Sequence, residues 1–576
     1  MKIIDEIPPE LLDAVNKFSK ELEWSRRLPI YEVHKWWARR YSGIIRLFLA
    51  FTELDKNILG KIDDFYAFVK KVYFYPPRVN NKKLLDPFCG GGTIIIEGKR
   101  LGYDTYGIEI NKLPYLILNS LKLLPHLNLE FLKKKIINIA DCLTYIWETT
   151  CVEGHPALII HTFLAWKDRE GNLQIKLNKL RDGKEKTYFC EKCKKIFVST
   201  REMKKCQVCG NQFDKNLKRI EHKRLVPYAI EYYCPICGQR AFKIVSPEDE
   251  KKFNIEFRWK LFDIPLLNET KRLLNTGFKH FGELLTPRQQ LTFYKFLSSF
   301  KNEPYRTIAK LLVSDSLRSC SLLAYYSAKY RKTIPGFVIK SYWLPFQPVE
   351  LNPLSYRFSK NGEMLPLGRG NIISGFRKIK RAKKFIINQQ LPLDFKVFHG
   401  PAQDIIPKLN YTFDVIFTDP PYGDYQFYSD LSLFSLSVLN EIDHGSLREL
   451  LEKEIVIRKK EDLIKYKKKL FIVFNSALSK LSKKGRLIMT FHHPDINILR
   501  EVLDVFKILS INLHAVYPVI GESSGRLVKR RLYLDLIFVF GRERRTPYCT
   551  LTNYCFTKWD KQLQRYIDSL IQFYEE

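Results

Sequence analysis

The sequence predicts an α/β fold in which a doubly wound, mostly parallel sheet is interrupted by a large insertion. Three observations predict it. An apolar strand, Lys82-Lys-Leu-Leu-Asp-Pro87, runs into the turn Cys89-Gly-Gly-Gly92, a helix begins near Thr93, and a second strand, Asp104-Thr-Tyr-Gly-Ile-Glu109, ends on an acid. This is the order by which a doubly wound sheet holds an adenosine-containing ligand at the carboxyl edge of its strands. Strands of the same type return only at Phe395–His399, Phe413–Thr418 and Gly485–Phe491, and the apolar runs Ile508–Val516 and Leu532–Phe540 follow as a closing hairpin. Between the two groups, Cys151 to Cys237 is polar and cysteine-bearing, whereas Lys260 to Ala328 carries apolar residues at helical spacing.

These patterns divide the chain into five stretches. Residues 1–125 hold a helix-rich N-terminal segment and the first half of a Rossmann-like sheet, and residues 395–545 hold its second half. Residues 126–259 form the cysteine-bearing part of the insertion, 260–394 a helical part expected to recognise substrate, and 546–576 a tail whose end, Lys558 to Glu576, reads as an amphipathic helix.

A chain of 576 residues exceeds one ordinary core, and 45% hydrophobic residues suffice to fill two or three. Lys and Arg number 96 against 62 Asp and Glu, and the net charge of +34 either attracts polyanions or marks solvated, Lys-rich helices; on charge alone acidic small substrates and membrane surfaces also stay open. No apolar run approaches the roughly 20 residues that cross a bilayer, and the first residues lack the apolar core of a secretion signal, so a cytoplasmic location without a membrane partner is expected. Six of the 12 cysteines fall in three Cys-x-x-Cys pairs, which in a reducing compartment hold metal more often than they form disulfides.

In Asp86-Pro-Phe-Cys-Gly-Gly-Gly-Thr93 the glycines let a ligand approach the backbone closely. Asp86, Phe88, Gly90, Gly92 and Thr93 are therefore candidate cofactor contacts. Glu109, at the end of the second strand and followed by Asn111, is placed to accept hydrogen bonds from both hydroxyls of a ribose.

Asp419-Pro420-Pro421-Tyr422 directly follows the strand Phe413–Thr418 and so falls at the same carboxyl edge. The prolines fix the backbone and remove competing N–H donors. An exocyclic amine of a base needs acceptors that turn its lone pair toward an electrophile, and the Asp419 carboxylate and Pro420 carbonyl supply them. Tyr422 offers a face on which a flipped base stacks. Asp419, Pro420, Pro421 and Tyr422 are the candidate catalytic residues, and with the glycine turn and Glu109 they resemble the S-adenosylmethionine-dependent amino-methyltransferases.

Cys190-Glu-Lys-Cys193 and Cys206-Gln-Val-Cys209 have the spacing of one four-cysteine zinc ribbon. Cys234-Pro-Ile-Cys237 either completes a second site with Cys151 and His155 or replaces one of the other pairs. Lys192, Lys194, Lys195, Lys204 and Lys205 surround the ribbon, where they can grip phosphates or simply remain solvated.

The segment Pro29-Ile-Tyr-Glu-Val-His-Lys-Trp-Trp-Ala-Arg-Arg40 narrows the resemblance to the adenine-specific DNA methylases that contain a zinc ribbon, and Leu285-Thr-Pro-Arg-Gln289, Thr418-Asp-Pro-Pro-Tyr422 and Tyr428-Ser-Asp-Leu431 extend it. The resemblance implies a class I methyltransferase sheet, S-adenosylmethionine and zinc as cofactors, and His34, Lys35 and Trp36 over the methionine end of the cofactor. It also implies N6 of adenine in DNA as the target, with DNA preferred over RNA and partner proteins drawn from a modification or defence system. Two departures stand out: Gly423, where this family more often carries a second tyrosine, and Pro401, near where many methyltransferases place an acid that Asp404 would have to replace. N4 of cytosine and a transfer-RNA guanine amine remain alternative targets. A different class also remains, a catalytically inactive, zinc-stabilised nucleic-acid-binding subunit of a larger assembly.

Overall fold

The computed structural model describes residues 1–549 except 26, 38, 168–172, 214–224, 337–340, 494 and 521–534, together with Ser569 and Gln572. Apart from those two positions, the tail helix expected over Lys558 to Glu576 lies outside the described residues.

The central layer is a mostly parallel sheet. Its strands are β1 (Lys83–Asp86), β2 (Asp104–Glu109), β3 (Lys396–His399), β4 (Phe413–Thr418), β5 (Leu481–Phe491), β6 (Asn512–Val519), β7 (Asp535–Gly541) and the short β8 (Tyr548–Cys549). They lie in the order β3-β2-β1-β4-β5-β7-β6-β8, and β7 runs antiparallel to both of its neighbours. The order reverses between β1 and β4, which pair in parallel through Leu84–Val415 and Leu85–Ile416. A crevice opens outside the carboxyl ends of strands at such a point.

Alternating apolar residues bury both faces, as a parallel sheet requires. Leu84, Val415, Phe417, Ile488, Ile537 and Val539 enter one core with α1 (Pro9–Ser25), α2 (Ser42–Phe51), α3 (Phe65–Phe74) and part of α4 (Thr93–Leu101). Leu85, Ile416, Leu487, Met489 and Phe538 enter the opposite core. There they meet Tyr466, Leu470 and Phe474 of α7 (Leu463–Ser479) and Val502, Leu503 and Phe506 of α8 (Ile496–Ile508). A third core joins α5 (Lys112–Leu123) and α6 (Tyr428–Val438) to the insertion.

The chain leaves the sheet after α5 and returns only at β3. In between it builds a second sheet whose path is Gln239–Ile244, Leu225–Cys234, Pro156–Lys167 and Val349–Leu351, all antiparallel. The pairing of Val349–Leu351 with Pro156–Lys167 carries the sheet across the boundary expected at residues 259 and 260, so the two parts of the insertion share one sheet. Helices Lys271–Asn275, Pro287–Ser298 and Tyr305–Leu317 occupy the stretch read as helical. Arg288 pins the first of the longer two to the sheet: its buried guanidinium pairs with Glu350 at 2.5 Å, hydrogen-bonds Thr162 and lies 4.5 Å over the Trp147 ring. Among the described residues no helix is long and apolar enough to cross a membrane.

Candidate active site and metal clusters

A cavity occupies the point where the strand order reverses. The loop after β1 forms one wall with Asp86, Phe88, Gly90 and Thr93, and the end of β2 adds Glu109 and Asn111. The loop after β4 forms the opposite wall with Asp419, Pro420, Pro421 and Tyr422. Residues far apart in sequence thus meet because β1, β2 and β4 lie side by side.

The glycine turn is shaped by backbone sterics. Gly90 and Gly92 have φ of +45° and +74°, in the left-handed region where a side chain is costly. A Cβ at Gly92 would stand 2.2 Å from Leu118 Cδ2, so α4 and α5 pack this closely only around a glycine.

Two buried acids face this turn. Glu109 accepts the Gly90 N–H at 2.8 Å with one oxygen and the Asn111 N–H at 2.7 Å with the other. Burial nevertheless pushes its carboxyl up to about 7, against the lowering effect of those donors. Asp86 accepts the Thr418 hydroxyl at 2.8 Å and the Phe88 N–H at 3.2 Å, and burial pushes it up to about 8. Asn111 caps α5 through the Leu113 N–H and donates to Ser432 at 2.8 Å, which ties the acid-bearing loop to α6. Burial raises the Cys89 thiol well above its ordinary range, so it is no ready nucleophile.

On the opposite wall the Asp419 carboxylate accepts hydrogen bonds from Arg40 Nε at 3.0 Å and from the hydroxyls of Tyr422 and Thr490. The Arg40 guanidinium also lies 5.1 Å from the Tyr422 ring centroid, donates to the Tyr422 hydroxyl and pairs with Asp535 at 3.1 Å. Tyr466 of α7 donates to the Pro421 carbonyl at 2.7 Å and fixes the tetrapeptide from behind. Gly423 has φ of +63°, and a Cβ there would press on Ile457 and Ile498 at 3.1 and 3.3 Å, which accounts for glycine where a second tyrosine was expected.

The aromatic segment divides. Trp36 lines the cavity and stacks on Tyr428 at 5.5 Å. His34 does not line it; the ring is buried, bonds Ser314 Oγ at 2.8 Å, and burial pushes its pKa down to about 4. Lys35 is also absent from the wall, and Gly92 stands just behind it as the N-cap of α4. The described residues from Glu32 to Tyr41 are irregular, not helical, and this backbone course places the side chain of Arg40 inside, with only 4% exposed. Sequence reading gave no role to Arg40, although it closes the Pro29–Arg40 segment, and missed Thr490 and Tyr466, which belong to no motif; each reaches the site through the fold. Pro401 lines the cavity with Gly400, Ala402 and Gln403, whereas Asp404 pairs with Lys453 at 3.0 Å and lies off the wall.

In the insertion, Cys190, Cys193, Cys206 and Cys209 form one cluster and Cys151, His155, Cys234 and Cys237 a second, each with its ligand atoms within 4.8 Å of one another. Sulfur pairs lie at 3.6 Å (Cys190–Cys209), 3.7 Å (Cys193–Cys206) and 4.0 Å (Cys151–Cys237). A tetrahedron with metal–sulfur bonds of 2.3 Å has edges of about 3.8 Å, so both clusters can hold zinc. The Cys-x-x-Cys turns share one backbone device: Lys194, Gly210 and Gly238, each directly after the second cysteine, have φ of 55°, 73° and 67°. The N–H groups of Val208 and Cys237 point at Cys206 Sγ and Cys234 Sγ, both at 3.3 Å. The alternative in which Cys234 and Cys237 replace another pair does not describe this arrangement, since each pair has its own partners.

No protein-family model and no curated protein matches the chain.

Proposed function

We propose that the protein is an S-adenosylmethionine-dependent methyltransferase that modifies the exocyclic amine of a nucleic-acid base, with N6 of adenine in DNA as the target. The observation that carries this reading is the single cavity joining the glycine turn and Glu109 to Asp419, Pro420, Pro421 and Tyr422. The strand order supports a Rossmann-like class I sheet, being the doubly wound order 3-2-1-4-5-6 with the antiparallel β7 set between β5 and β6 and the short β8 added beyond β6.

The donor set also favours one kind of cofactor over another. A pyrophosphate-bearing dinucleotide needs free N–H groups at the glycine turn and no acid beside them. Here the Gly90 N–H goes to Glu109, the Gly92 N–H goes to the Cys89 carbonyl at 2.7 Å, and Asp86 is buried nearby. Two carboxyls held in low dielectric suit a cation and oppose a phosphate. A nucleoside that carries sulfonium and ammonium charge but no phosphate fits these residues. Glu109 would hold the ribose, Asp86 and the turn the aminoacyl side, and Trp36 a face against the sulfonium.

S-adenosylmethionine, when bound, supplies an electrophilic methyl group. The chain's own residues do the positioning: Asp419 and the Pro420 carbonyl accept from the target amine and turn its lone pair toward the donor, and Tyr422 stacks on the base. The net charge of +34 supports a polyanionic partner, and the resemblance to zinc-ribbon adenine methylases supports DNA. Incubation with labelled S-adenosylmethionine and DNA or RNA, followed by digestion to nucleosides and mass identification, tests the proposal. N6-methyladenine from DNA is expected; N4-methylcytosine, or product only from transfer RNA, would overturn the adenine-in-DNA assignment, and no labelled product would overturn methyl transfer itself.

A further inference from the structure

Resting on that reading, we propose that an exposed aromatic and basic surface of the insertion is a stacking platform for the unpaired nucleotides that flank the target base. Its frame is the antiparallel hairpin of Tyr325–Ser327 and Lys332–Ile334, with Trp343 beside it. From Ser319 to Val349 the chain carries no Asp or Glu. One face of the hairpin is buried, with Tyr326 opposite Thr333. On that side Glu231 accepts from the Tyr326 hydroxyl at 3.4 Å and from Arg331 Nε at 2.7 Å, which anchors the hairpin and commits Arg331. Side chains alternate along a strand, so Tyr325 and Lys332 share the other face.

That face gathers rings and cations. Tyr330, in the connecting turn, is 61% exposed, and Lys332 Nζ and Lys329 Nζ lie 4.7 and 5.7 Å from its ring centroid. Tyr325 and Trp343 are 38% and 44% exposed and meet at 5.6 Å with their rings at 90°, a contact that covers a face of at most one of them. Single exposed apolar residues need no explanation, but three exposed rings grouped with lysines do. Burial and the neighbouring Arg369 hold the Lys332 ammonium below its ordinary range, and among the described residues no acid pairs with Lys329, Lys332 or Arg369. Cations that repel one another and have no counter-charge suit a polyanion.

The occupant follows from position and chemistry together. Tyr342, next in the chain to Trp343, is buried and donates its hydroxyl to the Asp430 carbonyl at 2.8 Å in the first turn of α6, whose Tyr428 lines the cavity. The platform is thereby tied to a wall of the site that receives the flipped base. Flipping one base leaves its neighbours without a stacking partner; exposed rings supply one, and the lysines neutralise the phosphates between them. An acidic peptide would satisfy the lysines but brings no succession of flat groups for the rings.

The test is fluorescence anisotropy with the full chain and two labelled probes: a single-stranded DNA of mixed sequence, and inorganic polyphosphate, which carries the charge without the bases. Tyr330→Ala and Trp343→Ala should each weaken binding of the strand about 5-fold or more, the range of one lost base stack, and leave polyphosphate binding unchanged. Trp343→Phe, which keeps a flat face, should bind the strand nearly as the wild type does. Lys329→Gln and Lys332→Gln should each make the salt dependence of strand binding shallower, by about 0.7 in the slope of log affinity against log salt. Unchanged strand binding in folded alanine variants, an equal loss on both probes, or a wild type that binds no strand overturns the platform. If the alanine variants do not fold, an unaltered salt slope in both lysine variants overturns it. Methyl transfer by the wild type is scored separately: transfer with strand binding indifferent to these residues sinks this inference alone, and ring-dependent strand binding without transfer sinks the enzymatic reading and leaves the platform standing.

Discussion

At the scale of single residues, the site sets Asp419 against Glu109 and Asp86, and the two walls should respond to different assays. Asp419→Asn keeps the side-chain volume but removes half the acceptor capacity and the charge facing Arg40. Turnover should fall at least about 100-fold, in the range of a lost positioning or electrostatic contact, while cofactor affinity measured by calorimetry stays within a few-fold. Retained turnover would remove Asp419 from its role. The acids on the cofactor side should give a pH dependence of binding. Glu109 and Asp86 titrate at about 7 and about 8 in the free protein, so a cationic ligand, which prefers both ionised, should bind more tightly as pH rises from about 6 and level off above about 8. The neutral analogue methylthioadenosine should show a smaller change, and Glu109→Gln should remove the lower part of the rise. Stability should run the opposite way. Carboxyls whose folded pKa lies above the ordinary value hold protons better in the folded state, so the ligand-free protein should lose stability between about pH 4 and pH 8, as melting temperatures would report. A binding curve flat across this window would contradict the assignment of these acids to the ligand. Much of this cavity's lining was legible in sequence because the glycine turn and the Asp-Pro-Pro-Tyr segment are each contiguous. Arg40 was not, because its pairing with Asp419 spans 379 positions and depends on an irregular backbone that no periodicity reveals.

At the scale of elements, the strands of the central sheet were legible, whereas the antiparallel strands Pro156–Lys167 and Leu225–Cys234 of the insertion were not. β2 and β4 fall where alternation and the flanking turns place them, and β6 and β7 form the expected antiparallel hairpin, shifted a few residues along. The aromatic segment before α2 is different. Paired tryptophans and arginines suggest a helix with a buried face, yet the chain turns sharply there to bring Trp36 and Arg40 to one cavity and His34 to another core. The glycine turn gives the sharpest element-level prediction. Gly92→Ala forces a Cβ to within 2.2 Å of Leu118 at φ of +74°, so it should cost about 2 kcal/mol of stability in chemical denaturation and weaken cofactor binding as α4 shifts. Wild-type stability in this variant would mean that α4 and α5 pack less tightly than described.

At the scale of the whole molecule, the insertion and the central sheet are held by different means. The sheet is a layered apolar core, whereas part of the insertion is organised around two sulfur-rich clusters. Elemental analysis should find two zinc ions per chain. Strong chelation, or Cys193→Ser and Cys237→Ser made separately, should lower the stability of the insertion before cofactor binding at the sheet is affected, because the clusters lie outside the cavity. One zinc or none, with full stability, would refute one or both clusters as structural metal sites. The first cluster was legible from spacing alone. The second needed the fold, since Cys151 and His155 meet Cys234 and Cys237 only across the antiparallel pairing of Pro156–Lys167 with Leu225–Cys234.

The placement of the insertion between β2 and β3 also has a consequence for how the protein is made. β1 receives β2 almost as soon as both leave the ribosome, but its other neighbour, β4, begins only at Phe413. At 5–20 residues per second, synthesis of the intervening chain takes roughly 15 to 60 s. Through that interval the nascent sheet has an open apolar edge at Leu84 and Leu85, of the kind that pairs with other chains. The antiparallel sheet of the insertion can close on itself in the meantime. Nascent chains arrested before Lys396 should therefore carry a finished, metal-loaded insertion beside a half-sheet that engages chaperones, and the cofactor cavity should appear only when β4 is released.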